Sequence, residues 1–385
     1  MIQPALPAAL LSLSVLLSGG GDPPELPPVG SAGGPARSLD AYEAERWLAG
    51  RALFEREWTR EEGLGSPRFN APSCGTCHHQ PVLGGAGGLD ANVGAGHYSN
   101  WGSGRALSGS RLERSLERAR ADERGLSQLA RLVEGTRQTP STLGLGLLET
   151  IDAAAILAGE DPEDADGDGV RGVAHRITTQ GVEEVGRFGW RAQRARLDDF
   201  VRTACSGELG LTLPDDGRDF GRMTDGDAAM DPELGWDALD ALVFYARELA
   251  APPRAGRAQS SEVLAGERLF ESVGCAACHT PSLAGSAGPV PLYSDLLLHE
   301  VVGERSRNGE RALEQDDPHP GGRSAFRTPP LWGVSHTAPY LHDGRALTLE
   351  QAIELHEFEA AGARQRWGEL SPSERASLLA FLGDL

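Results

Sequence analysis

The chain has five cysteines in 385 residues, too few to read a disulfide framework. Aromatic residues make up 6% and hydrophobic residues 39%, so the polypeptide alone supplies a lean core. Positive charge is also scarce, with 36 Lys and Arg against 56 Asp and Glu. The resulting net charge of −20 excludes nucleic acid as a partner, because a phosphate backbone needs neutralising cations. The same charge can steer a basic redox partner, or it can be a solvated surface. No apolar run reaches the length of a membrane span; the run Ala5 to Leu17 has the length of a signal h-region instead. Glycine and proline are plentiful, at 50 and 25, and they predict long irregular loops around the regular elements.

Four of the five cysteines fall into two copies of one pattern. Cys275-Ala276-Ala277-Cys278-His279 is a C-x-x-C-H motif, and Cys74-Gly75-Thr76-Cys77-His78 repeats it. C-x-x-C-H is the attachment signature of a c-type haem. Two thiols anchor one edge of the ring and the next residue puts an imidazole under the iron. A zinc site does not need a His directly after the second Cys, and neither pair has a C-x-x-C partner nearby. A thioredoxin-type redox pair would need a βαβ context, which is missing. Two covalently bound c-type haems are therefore expected. Cys205 stands alone and reads as a buried small hydrophobe.

In chain order, residues 1–20 form a signal-like segment, without Lys or Arg in its n-region, and residues 21–38 a flexible leader. Export is expected, since c-type haem is attached outside the cytoplasm. A helix is predicted over about Leu39 to Trp58. An irregular loop should run from Gly84 to Gly109, a charged helix from Arg111 to Val133, and another helix from Leu148 to Leu157. Asp161 to Gly172 reads as an acidic turn, and Trp236 to Ala250 as an amphipathic helix ended by Pro252-Pro253. The boundary is placed there, giving an N-terminal unit over 39–253 and a C-terminal unit over 254–385.

The two units echo each other. Leu48-Ala49-Gly50-Arg51-Ala52-Leu53-Phe54-Glu55 matches Leu264-Ala265-Gly266-Glu267-Arg268-Leu269-Phe270-Glu271, each ahead of a haem motif. Thr139-Pro140 with Gly144 matches Thr328-Pro329 with Gly333, and the closing helix at 236–250 matches the one at 373–385. Matches in the same order are the mark of duplication. The expected fold is mainly α: two fused cytochrome c-like haem domains with long irregular loops.

Six stretches carry a family resemblance. Phe326-Arg327-Thr328-Pro329-Pro330-Leu331-Trp332-Gly333, then Thr337 to Arg345, then Thr348 to Ile353, resemble the C-terminal haem domain of the bacterial di-haem cytochrome c peroxidase superfamily. Tyr293 to His299, Gly144 to Glu149 and Gly186 to Trp190 resemble its di-haem oxidoreductase branch, often labelled thiol oxidoreductases or di-haem peroxidases. In the peroxidases a Met ligates the C-terminal haem; here the matching position is His356. The resemblance thus implies His279 and His356 as an axial pair, with His78 proximal on the first haem. It places Glu149 towards the distal face of the first haem, where a carboxylate can act as general acid–base. The plainer reading is a helix N-terminal Glu complementing the dipole. His79, His97 and His175 are competing distal candidates. His342 and His299 are expected to bond propionates or backbone, and Arg327 to pair with a propionate. Trp190, Trp101 and Trp332 either lie between the haems or pack against them.

Asp164, Asp166 and Asp168 have the alternate spacing of the first half of a calcium loop, but His175 stands where an EF-hand would place its Glu. The resemblance adds calcium to the expected cofactors. The function expected is an exported, peroxidase-like di-haem oxidoreductase taking electrons from a small redox protein or a quinol-linked donor and passing them to peroxide or another small oxidant. The alternatives are a non-catalytic di-haem carrier and an oxygen-using haem enzyme acting on an organic or protein substrate.

Overall fold

The computed structural model describes residues 25–65, 69–94, 136–218, 221, 223–302 and 325–385, with isolated positions between 114 and 128. The signal-like segment, the start of the leader, His97, Trp101 and most of the expected 111–133 helix lie outside the described residues. The described chain is mainly helical. Its helices are α1 (Ala41–Glu55), α2 (Cys74–Cys77), α3 (Leu145–Thr150), α4 (Ala153–Leu157), α5 (Leu197–Ala204), α6 (Trp236–Glu248), α7 (Ser261–Val273), α8 (Leu349–Glu354), α9 (Ala361–Glu369) and α10 (Pro372–Leu382). Three two-stranded antiparallel ladders complete it: β1 (Val93–Gly94) with β2 (Thr136–Arg137), β3 (Arg176–Thr179) with β4 (Val182–Val185), and β5 (Leu298–Glu300) with β6 (Ala325–Arg327). Among the described residues no helix is long and apolar enough to cross a membrane.

Asp40 starts α1 with a reciprocal capping box to Glu43, which satisfies two amides that the first turn leaves open. Trp47, Gly50, Leu53 and Phe54 then share one face and bury it against α6. Gly50 is the crossing point. A Cβ there would sit 2.0 Å from the Ala241 carbonyl oxygen, so only hydrogen fits. The second pair repeats this: α7 crosses α10 at Gly266, where a Cβ would meet the Ser377 carbonyl oxygen at 2.0 Å. The duplicated Leu-Ala-Gly stretch is thus a duplicated close crossing. Gly50→Ala and Gly266→Ala are each expected to cost about 3 kcal/mol, the upper end for overpacking. Unchanged denaturation midpoints would show that the helices separate without penalty.

Aromatic rings carry each crossing towards a haem motif. Phe54 touches Tyr245 at 5.3 Å and the His78 ring at 6.0 Å. Phe270 touches Phe381 at 5.3 Å and the His279 ring at 6.4 Å. One core cluster gathers around Trp47, Phe54 and Tyr245, and another around Phe270, Trp367 and Phe381. A third draws on both sides of residue 253: Leu148, Ile156, Phe188 and Ala246 pack with Leu283, Val290, Leu292 and Leu297. Asp384, fully buried, ties the connecting stretch down by accepting from Arg254 Nε at 2.8 Å and the Arg257 amide at 2.7 Å.

Two expectations need correction. The single helix over Leu148 to Leu157 is two helices, α3 and α4, broken at Ile151-Asp152. At the break, buried Arg187 donates from Nη1 to the Leu148 and Ile151 carbonyls at 3.1 and 2.8 Å, and the Asp152 amide turns away to the Ala284 carbonyl at 3.0 Å. The β3–β4 hairpin was not expected either. Its turn, Gln180-Gly181, has positive φ at both residues and follows Thr178-Thr179, which is a legible hairpin signal.

Candidate haem sites

Cys74 and Cys77 lie on α2, one turn apart, with Ser73 Oγ accepting the Thr76 amide at 3.0 Å as the N-cap. That turn puts both sulfurs on one side and makes His78 the first residue off the helix. Cys275 and Cys278 occupy an equivalent 3₁₀ turn entered through Gly274, whose φ of 95° suits glycine. All four thiols are free, and none is joined in a disulfide. Burial pushes Cys77 up to about 12 and Cys275 to about 11, and raises Cys74 and Cys278 as well, so the thiols stay protonated.

Three histidines share one arrangement. His78 Nδ1 donates to the Gly85 carbonyl at 3.3 Å, His279 Nδ1 to Tyr293 at 2.9 Å, and His356 Nδ1 to Ala352 at 2.6 Å. A carbonyl only accepts, so each ring carries its proton on Nδ1; His279 and His356 meet no second carbonyl and leave the Nε2 lone pair bare, whereas the His78 ring also meets the Pro140 carbonyl. Burial lowers His78 and His279 to about 4 and lowers His356 as well, which keeps the rings neutral. His356, at the end of α8, lies near enough to His279 for its charge to depress that ring. Among the described residues the only ring that depresses His78 is its chain neighbour His79, which is exposed.

The motif residues and His356 keep part of their contact surface although protein encloses them, so they face internal space and not bulk water. An interior lined by protonated thiols, bare neutral imidazole nitrogens and Phe rings suits a flat, largely apolar ring with a metal at its centre. The residues present therefore fit haem.

The remaining predicted residues fall out differently. Glu149 has both oxygens engaged: Oε2 with Arg247 Nε at 2.7 Å and Oε1 with the Leu197 amide at the start of α5, 2.9 Å. It acts there as a helix N-terminal carboxylate and ion-pair partner. Arg327 donates to the backbone carbonyls of Gly189 and Thr328, and burial lowers it to about 10. His342 stacks on Phe326, with ring centroids 4.1 Å apart and planes 14° apart. Trp190 meets the same Phe326 edge-on at 6.5 Å and donates to the Gln138 carbonyl, while Trp332 donates to the Leu143 carbonyl. His175 is buried and donates to the Arg191 carbonyl at 2.7 Å. Cys205 is buried, and burial pushes it up to about 12.

His299 departs from expectation. It sits between two carboxylates, Nε2 to Asp295 Oδ2 and Nδ1 to Glu359 Oε2, both 2.8 Å, with the Cys278 sulfur 3.6 Å from Nδ1. Both ring nitrogens donate, so the ring is an imidazolium. Burial opposes that charge, yet Asp295, Cys278 and Glu359 together hold its pKa well above the ordinary value. In the acidic turn, Asp161, Asp164 and Asp166 bring ligand oxygens within 4.8 Å of one another. Asp168 is outside this group and instead accepts the Val170 amide at 2.8 Å. Sequence reading missed Asp161 and Glu359; only Asp161 stood in a readable acidic run.

Residues 122–385 match the family described as "Di-haem oxidoreductase, putative peroxidase". A cytochrome c551 peroxidase of Nitrosomonas europaea is 30% identical over 129 residues, 33% of this chain and 35% of that protein. The cytochrome-c peroxidase IdrP2 of Denitromonas iodatirespirans is 29% identical over 151 residues, 33% of this chain and 40% of the relative. The chain thus spans about a third to two fifths of the length of these curated relatives. Among solved structures, a MauG-like protein associated with microbial copper homeostasis aligns with a TM-score of 0.43 at 18% identity, covering 95% of this chain and 94% of the other.

Proposed function

The chain belongs to the di-haem oxidoreductase family, and from that premise we propose that it is an exported, peroxidase-like oxidoreductase built from two fused cytochrome c-like domains, 39–253 and 254–385. One c-type haem would be held through Cys74 and Cys77 with His78 as ligand, and the other through Cys275 and Cys278 with His279. When bound, haem supplies an iron that exchanges single electrons and takes a small oxidant on an open face. The observation that carries this reading is an asymmetry. His279 has a second buried, neutral imidazole near it in His356, whereas His78 has no such partner from another element among the described residues.

His356 would be the second imidazole offered to the C-terminal haem, and the N-terminal site would be left to take peroxide or a similar small oxidant. The haems would supply the single-electron exchange, from the C-terminal to the N-terminal one, with a small redox protein or a quinol-linked donor as the electron source. The residues' own work is to fix the two lone pairs. Gly85, Tyr293 and Ala352 each hold a ring by its Nδ1 proton, which orients Nε2 and makes it more basic. Arg327 and His342 belong to the lining of the second site. A calcium ion at the acidic turn would be held by Asp161, Asp164 and Asp166. Glu149 would brace α5 against α6 and leave proton handling to another group.

The test is spin-resonance spectroscopy together with steady-state peroxide reduction using an artificial electron donor. One high-spin and one low-spin haem, with turnover, is the expected result. Two low-spin haems in both redox states, inert to peroxide, would make the protein a carrier.

A further inference from the structure

The buried ion cluster at His299 joins the two segments that carry the C-terminal imidazoles. Residues 293–295 run beside the second haem motif. The Tyr293 carbonyl accepts His279 Nδ1 at 2.9 Å, the Ser294 amide donates to the Thr280 carbonyl at 2.9 Å, and the Asp295 amide donates to the Cys278 carbonyl at 3.0 Å. Asp295 is thereby fixed against the motif. Glu359 lies on the 3₁₀ turn Phe358–Ala360, just past His356. His299, on β5, stands between the two carboxylates, 2.8 Å from each. One ring thus reaches from the His279 segment to the His356 segment.

Both carboxylates are held by backbone amides as well. Asp295 Oδ1 accepts the Leu297 amide at 2.9 Å, Glu359 Oε1 the Glu300 amide at 2.8 Å, and Glu359 Oε2 the Arg171 amide at 2.8 Å. The ring cannot turn without breaking both of its own bonds. Asp295 is 5% exposed and His299 2%, so water screens these charges little. The third neighbour of the ring is the Cys278 sulfur, 3.6 Å from Nδ1. In the proposed holoprotein that sulfur tethers one edge of the C-terminal haem. The charges of His299, Asp295 and Glu359 are all felt at Cys278, and those of His299 and Asp295 at the His279 ring.

We propose that His299 is a positioning residue for the C-terminal haem: its imidazolium clamps the His279 and His356 segments together through Asp295 and Glu359, and sets a positive charge at the Cys278 edge that raises the potential of that haem. This rests on the reading of a haem tethered at Cys275 and Cys278. A ferric centre carries one more positive charge than a ferrous one, so a fixed cation nearby favours the reduced state and a fixed anion the oxidised state. The sign of a shift therefore separates charge from packing, because lost packing has no reason to follow the sign of the charge removed.

The test is a redox titration of the two-haem holoprotein at pH 6, followed optically, with haem stoichiometry checked on denatured protein. His299→Gln removes a cation and should lower the C-terminal midpoint. Glu359→Gln removes an anion and should raise it, with Asp295 still holding the ring protonated. The N-terminal midpoint should stay in place in both. Shifts of one sign, or an unmoved C-terminal midpoint in either variant, would overturn the proposal. Should His299→Gln lose a haem or turn the C-terminal haem high-spin, Glu359→Gln decides alone: a raised midpoint supports the assignment, and a lowered or unmoved one ends it. If wild type carries no haem on Cys275 and Cys278, the haem reading itself falls and this proposal falls with it.

Discussion

Replacing Glu359 by alanine is expected to lower stability by about 3–5 kcal/mol at neutral pH, the cost of removing one partner from a buried charged pair. Glu359 takes three donors: His299 Nδ1 at 2.8 Å, the Glu300 amide at 2.8 Å and the Arg171 amide at 2.8 Å. Its side chain is 13% exposed and that of His299 2%, so water cannot replace the lost bonds. The pH dependence has two limbs. His299 has a raised folded pKa, so its contribution is complete below the ordinary 6.5 and is lost as pH rises through the folded value. Burial works against the Glu359 anion, but His299 and two backbone amides outweigh it and lower its pKa. Its contribution is present above about 4.5 and is lost as pH falls through the folded value. Wild type should therefore lose stability on both limbs, and Glu359→Gln should flatten the acid one. Denaturant midpoints measured against pH check this. A loss under about 1 kcal/mol would place the cluster with ordinary surface ion pairs.

His356→Met is expected to raise the midpoint potential of the C-terminal haem and leave the N-terminal one in place. Imidazole donates more strongly than thioether and favours the ferric state. Axial ligation spans about 0.8 V across haem proteins, so the shift should take a substantial part of that range. The Ala352 carbonyl strengthens the effect in the native protein, because the 2.6 Å bond to Nδ1 makes Nε2 a better donor. Methionine cannot form that bond. A redox titration followed optically reads both haems. An unmoved C-terminal potential, with that haem still low-spin, would remove His356 from the ligand set.

Much of the architecture was legible in the sequence because its signals are local. The C-x-x-C-H motifs are contiguous, and Gly50 and Gly266 sit within repeated apolar stretches whose period marks the buried face. The amphipathic period and Pro252-Pro253 located α6 to within two residues, and α10 followed as its echo, ending three residues earlier than expected. The placement of charge was not legible. Glu149 stands in a matched motif, yet its partner Arg247 is 98 residues away. Glu359 meets His299 across 60 residues. Asp161 replaces Asp168 in the acidic group because the turn folds the 168 carboxylate back onto Val170. Partners distant along the chain leave no periodic trace, so sequence reading finds the scaffold of each site before it finds the groups that set its chemistry.

The cluster shared across residue 253 has a consequence for how the protein comes apart. Leu148, Ile156 and Phe188 are sealed by Leu283, Leu292 and Leu297, so each half, beside the core of its own, holds only part of this third one. A protease that nicked the Pro252-Pro253 connection would yield two fragments still clasped together. The spacing between the two C-x-x-C-H turns is thus guarded by side chains from both fragments, and should survive the loss of the peptide that joins them.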